Sequence, residues 1–238
     1  LILDYSDFYN RNNVGWSDFT YSGVEFSQAL FSSTMDVQNG YKRMQGKGSL
    51  IDKFGMLRDP GVVSQTGYIY QMDMTIEPEV ITVVSLGGIG TEKILHDTNT
   101  VSTMFNSFLP TERIRLNDYG EGKAAGSNVY QNLDREHRYT IKFLINANGT
   151  CSAYFTDNFI MGSFYNFYLG DSVIATNLRG VTIYFVTNQT HINPLSSATV
   201  WDNFFVHDQG LDFQPPPRKG ADLESQSWSM KKLYSSNG

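Results

Sequence analysis

Apolar and polar residues alternate with a period of two in several stretches of the chain. Tyr68, Tyr70, Met72, Met74 and Ile76 share one parity, and Ile69, Gln71, Asp73 and Thr75 the other. Successive side chains of a strand point to opposite faces, so this spacing predicts a half-buried strand. The same period sets Tyr139, Ile141, Phe143 and Ile145 against Arg138, Thr140 and Lys142, and Val181, Ile183 and Phe185 against Thr182, Tyr184 and Val186. A last run sets Val200, Asp202, Phe204 and Val206 against Trp201, Asn203, Phe205 and His207, which predicts Asp202 on the side of Phe204 and Val206. Between such runs lie turn signals, among them Asn39-Gly40, Asp59-Pro60-Gly61, Asn148-Gly149 and Gly180. Many short strands with this punctuation predict an all-β, antiparallel sandwich or barrel.

Helical pattern is scarce. Val80 to Leu86 followed by glycines at 87, 88 and 90 has the outline of a dinucleotide-binding turn, but Lys93 replaces the last glycine of that fingerprint. No strand-helix series continues it, so Glu92 to Phe105 reads as a connection between strands. After His207 the pattern ends in Pro215-Pro216-Pro217, which is stiff and cannot donate to a sheet. The chain therefore divides into a sandwich over residues 1–207 and a proline-containing linker or strap over 208–238, with Leu223 and Trp228 as docking points.

Composition supports the β reading: 16 Phe, 14 Tyr and 3 Trp are far more than the alanines, and aromatic residues favour pleated sheets where Ala favours helices. The net charge of −6 argues against a generic binder of nucleic acid backbones. No apolar run approaches the roughly 20 residues of a membrane-spanning helix. Cys151 is the single cysteine, so no internal disulfide forms. A start at Leu1 without a leader leaves two readings, a removed signal or a piece of a larger protein or assembly.

The four histidines match no zinc spacing, and neither a nucleophile elbow nor a phosphate-binding loop is present. Glycoside hydrolysis asks for two carboxyls about 5 to 9.5 Å apart. The nearest local pair, Glu77-Pro78-Glu79, is interrupted by a proline and reads as a turn.

Two ends of the chain carry a resemblance. Ser6-Asp7-Phe8-Tyr9 with Gly15-Trp16 is similar to the opening strand and loop of concanavalin A-like, laminin-G-like jelly rolls of secreted carbohydrate-active proteins. The hairpin from His137 to Phe155 around Asn148-Gly149, and Trp201-Asp202-Asn203-Phe204-Phe205-Val206, resemble that family's later hairpin and closing strand. The resemblance implies a jelly-roll fold, with Trp16 plugging one end of the core. In many members an acid near the first strand and the Asp of the closing strand share a calcium ion, a hard cation that takes roughly six to eight oxygens. Carried over, this implies structural Ca²⁺ at Asp7 and Asp202, with Asp4 as the second choice. An acid is common where Tyr9 stands.

The catalytic strings of the family's glycoside hydrolases and alginate-lyase-like members do not occur in this chain. Sugar binding asks for less: an exposed ring to stack on a pyranose, with polar groups around it. Loop-like candidates are Trp16, Tyr21, Tyr41, Tyr119, Tyr130, Tyr165 and Tyr168, the cluster around Tyr165 and Tyr168 coming first. Gln71, Asp73, Arg138, Lys142 and Tyr184 form a second set, assembled on a concave, solvent-facing sheet. The expectation is a non-catalytic, lectin-like carbohydrate-binding or adhesion module, secreted or at the cell surface, whose partner is a polysaccharide or glycan. A lyase or hydrolase with a divergent site, and a structural domain of a fibre, capsid or surface assembly, stand as the alternatives.

Overall fold

The period-two runs become strands in a computed structural model that describes residues 1–6, 15–21, 30–36, 41–47, 53–76, 81–87, 101–106, 113–116, 130–132, 137–158, 166–173, 182–188 and 198–213. In chain order the strands are β1 (Ile2–Ser6), β2 (Trp16–Tyr21), β3 (Leu30–Asp36), β4 (Tyr41–Lys47), β5 (Lys53–Arg58), β6 (Ile69–Ile76), β7 (Ile81–Gly87) and β8 (Val101–Asn106). They continue as β9 (Arg113–Leu116), β10 (Tyr130–Asn132), β11 (Arg138–Ile145), β12 (Thr150–Asp157), β13 (Phe167–Val173), β14 (Thr182–Asn188) and β15 (Ala198–His207). The segments predicted from alternation are β6, β11, β14 and β15, and Val80 to Leu86 supplies β7.

These strands pair into two antiparallel sheets. The first runs β13-β12-β11-β6-β15-β4-β3, with β1 also pairing β15, and the second runs β10-β9-β8-β7-β14-β5-β2. The first and last of these strands meet in the first sheet, where Ser6 of β1 stands opposite Phe204 of β15. The predicted Asn-Gly turn joins β11 to β12: Gly149 has φ 73, a left-handed conformation that glycine adopts without a Cβ penalty. Asn148 Oδ1 accepts hydrogen bonds there from the Thr150 amide at 3.3 Å and hydroxyl at 2.6 Å.

The core lies between the sheets. Tyr70, Met72, Met74, Tyr139, Ile141 and Phe143 bury one parity of β6 and β11, and Val84 and Leu86 come from β7 of the second sheet. Each fully buried ring or branched aliphatic contributes about 1.5 to 3 kcal/mol. Trp16 closes one end, as the resemblance implies: it is buried, its ring meets Phe204 edge-on at 5.9 Å, and its indole N–H donates to Ser6 Oγ at 2.8 Å. Beside it Arg58 is clamped by Asp4, with Nε and Nη2 donating at 2.9 and 2.7 Å.

Cys151 is wholly buried on the core side of β12, and burial raises its thiol pKa. The expected result is no reaction with a thiol reagent such as Ellman's at mildly alkaline pH in the native protein, and full reaction in denaturant. Rapid native labelling would contradict this packing.

Two bulges alter what simple alternation predicts. In β15 the register shifts between Asp202 and Phe205, and Asn203 there has φ 53, a left-handed conformation that Asn tolerates. Asp202 pairs with Asp73 and Val206 with Tyr70, so position 202 belongs to the face opposite Phe204 and Val206. This corrects the predicted parity: one extra residue in the strand reverses every face beyond it. In β13 the register shifts again, with Tyr154 opposite Tyr168 but Ala153 opposite Gly170. Gly170 has φ 140, which suits glycine alone.

Candidate functional site

The polar parity of β6 and β11 was expected to face solvent, and the structure corrects this. Gln71, Thr140, Lys142 and His207 are all buried, and the turn that follows β15 folds back over Lys142 and His207. Leu211 places its carbonyl on Lys142 Nζ, which also donates to Asn166 Oδ1 at 2.8 Å. Asn166 Nδ2 donates to Asp212 Oδ1 at 3.0 Å, and Phe213 packs on His207 with ring centroids 4.4 Å apart. Burial lowers the Lys142 pKa, against the opposing pull of Asp212 and Asp73. A cation in that position is held by oxygens in place of water.

The predicted set of Gln71, Asp73, Arg138, Lys142 and Tyr184 does not share one surface. Tyr184 lies in β14 of the second sheet, while the others lie in β6 and β11 of the first. Gln71 Oε1 accepts from His207 Nε2 at 2.6 Å, and His207 Nδ1 accepts from the Gln209 amide at 3.3 Å, which puts the ring proton on Nε2. Asp73 is enclosed by donors: Arg138 Nη2 at 2.6 Å, Asn203 Nδ2 at 3.1 Å and Thr140 Oγ1 at 2.5 Å. Gln71, Asp73 and Arg138 therefore spend these polar groups on holding the sheet together.

For calcium, Asp4 does not fit, because both of its oxygens accept from the Arg58 guanidinium. Asp202 stands in register with Asp73, whose carboxylate is already filled by three donors, and Asp7 lies outside the described residues. Among the described residues no three His, Cys, Asp or Glu gather as a ligand set.

The aromatic candidates fall mostly on strands where loops were expected: Tyr21 in β2, Tyr41 in β4, Tyr130 in β10 and Tyr168 in β13. Tyr119 and Tyr165 lie outside the described residues. Tyr168 is 49% exposed, and its ring lies 5.4 Å from that of Tyr154 on β12. The bulge decides its neighbour. Strict alternation would send position 171 to the face opposite Tyr168, but the extra residue at 169–170 brings exposed Asp171 to the same side while Leu169 turns into the core.

A chain of polar groups extends from there along the edge of the sheet. Ser152 Oγ donates to Asp171 Oδ1 at 2.5 Å, and Asn146 Nδ2 donates to Ser152 Oγ at 2.8 Å and to Thr150 Oγ1 at 3.0 Å. Partial burial first, then the hydrogen bond to Asp171 and its negative charge, raises the Tyr168 phenol pKa. The result is an exposed ring with a carboxylate beside it, backed by the Ser152 hydroxyl and the Asn146 amide. That arrangement can stack on the apolar face of a sugar and accept hydrogen bonds from its hydroxyls. Sequence reading singled out Tyr168 but missed Asp171, Ser152 and Asn146; a glycine inside a strand, Gly170, was the signal of a bulge.

No protein-family model matches the chain, and no curated protein matches it. Solved structures do. Lectin II from Ulex europaeus aligns at TM-score 0.52 and 6% identity, covering 80% of this chain and 97% of that one. The Emp47p carbohydrate recognition domain aligns at TM-score 0.54 and 8% identity, covering 86% and 94% respectively. Identities this low speak to architecture, and together with the two antiparallel sheets they give this chain the concanavalin A-like jelly-roll fold.

Proposed function

We propose that this chain is a non-catalytic carbohydrate-binding or adhesion module of a secreted or cell-surface multidomain protein, with a polysaccharide or glycan as its partner. One observation carries the reading: the half-exposed Tyr168 ring stands beside Tyr154 and Asp171 at the sheet edge, with Ser152 and Asn146 behind. A platform of this kind binds sugar by stacking and hydrogen bonding and needs no proton transfer. The two fold relatives are by their names a lectin and a carbohydrate recognition domain, which sets glycans as the first ligands to test. Calcium at Asp7 and Asp202 is retained as part of the proposal, so binding is measured with the ion and with a chelator.

Affinity electrophoresis and a glycan array are expected to show retention on at least one polysaccharide. Tyr168→Ala and Asp171→Asn are each expected to weaken it about tenfold, in line with the worth of one aromatic or charged hydrogen-bond contact. Unchanged circular dichroism and thermal unfolding serve as the folding control. Absence of retention on every glycan, with and without calcium, overturns the reading. Release of reducing or unsaturated sugar ends would move it to the enzyme alternative.

A further inference from the structure

The second sheet carries a different set of residues on the face turned away from the first. Val84 and Leu86 of β7 belong to the core, so positions 81, 83 and 85 lie on the far face, and the strand pairings extend that face across the sheet. Val83 pairs with Met104, Met104 with Arg115, and Arg115 with Tyr130. One row further, Asn106 pairs with Arg113 and Arg113 with Asn132. On the other side of the sheet Tyr184 pairs with Ser85, and Lys53 pairs with Tyr21.

Arg113, Arg115 and Lys53 thus occupy one face, and none of its positions in β2, β5, β7, β8, β9, β10 or β14 is Asp or Glu. In a chain with 24 acids against 18 bases such a face runs against the overall balance. The first sheet differs, because its outer face mixes both signs: the register places Arg43 and Lys47 of β4 there with Asp36, Asp73, Asp171 and Asp202, beside Arg138 and Lys142. Arg113 and Arg115 are two residues apart on one strand, about 7 Å, and Lys53 lies four strands away, about 19 Å at sheet spacing. Guanidinium groups bind carboxylate and sulfate oxygens in pairs, and tyrosine and asparagine supply stacking and hydroxyl recognition around them.

We propose that this face of the second sheet is a binding surface for an acidic polysaccharide, one whose repeating units carry carboxylate or sulfate groups. The proposal rests on the carbohydrate-binding reading and names its ligand class, at a site separate from Tyr168. Affinity electrophoresis of the full chain through polygalacturonate, dextran sulfate and neutral dextran tests it.

The expected result is retention by one of the acidic polymers over dextran, weakened by added salt and reduced at least about tenfold in R113Q/R115Q. K53Q, on a distant strand, is expected to weaken it by a smaller factor, and R113K/R115K to restore part of it. Thermal unfolding identifies any variant that fails to fold, in which case K53Q and the salt dependence decide. Equal retention of acidic and neutral polymers, or binding by folded R113Q/R115Q equal to wild type, overturns the proposal. Stronger retention by a single-stranded oligonucleotide also overturns it. Neutral glycan binding that is lost in Tyr168→Ala, without acidic retention, removes this inference and leaves the carbohydrate-binding reading standing. No retention on any glycan removes both.

Discussion

Replacing Asp4 by alanine is expected to lower stability by about 3 to 5 kcal/mol, the usual cost of removing one partner from a buried ion pair. The Asp4 and Arg58 side chains are 14% and 10% exposed, so water screens them little. Arg58 also lies 5.6 Å from the ring centroids of both Trp16 and Phe204, which places a guanidinium at the end of the aromatic core. Asp4→Ala removes both hydrogen bonds that the carboxylate accepts from this guanidinium. The pair joins β1 of the first sheet to β5 of the second, so the loss is expected to act on the whole sandwich. Equilibrium unfolding in urea measures it. The double variant Asp4→Leu, Arg58→Met is expected to recover most of the loss, because an apolar pair of similar volume needs no desolvation of charge. A loss under about 1 kcal/mol for Asp4→Ala would show the pair to behave as a surface salt bridge.

Stability is expected to fall by about 3 kcal/mol between pH 6.5 and pH 4 through His207 alone. His207 has no exposed surface, accepts from the Gln209 amide through Nδ1 and donates to Gln71 through Nε2. Burial first, and then the nearby Lys142 cation, push its pKa down from 6.5 to about 4. As pH falls below 6.5 the unfolded chain takes up a proton that the folded ring refuses. The equilibrium therefore shifts toward unfolding until the folded ring also titrates. Urea unfolding across that range for wild type and His207→Gln separates this residue from the carboxylates. The variant is expected to show a shallower fall, and the wild-type ring protons a midpoint near 4 by nuclear magnetic resonance. A midpoint near 6.5 would mean that the turn carrying Phe213 does not enclose the ring in solution.

Much of the fold was legible in the chain because alternation is a local property. Tyr70, Met72, Ile141 and Phe143 repeat every second position, and burial of one face follows from that spacing. Asn148-Gly149 names a hairpin turn by the same local chemistry, since glycine accepts the left-handed backbone that the turn requires. The candidate site was less legible. Tyr168 was visible as an aromatic in a cluster, but Asp171 three residues on belongs with it only because β13 bulges at Gly170 against β12. Lys142 and Gln71 looked solvent-facing because alternation cannot tell water from a covering turn: Leu211 reaches Lys142 from 69 residues away in the sequence, and Gln71 is held by His207, on which Phe213 packs.

The sequence by itself determined the strands β6, β11, β14 and β15, the all-β antiparallel class and the aromatic stock from which the core and the candidate site are both built, while Val101 to Phe105, read as part of a connection, forms β8. The tertiary structure decided which polar residues share a surface. It set Tyr184 on a different sheet from Gln71, Asp73 and Arg138, moved position 202 to the face of Asp73, and aligned Arg113, Arg115 and Lys53 on one face. The physical reason is register: a period of two fixes alternation within a strand, but a bulge or a distant pairing partner chooses the side, and one residue of shift reverses it.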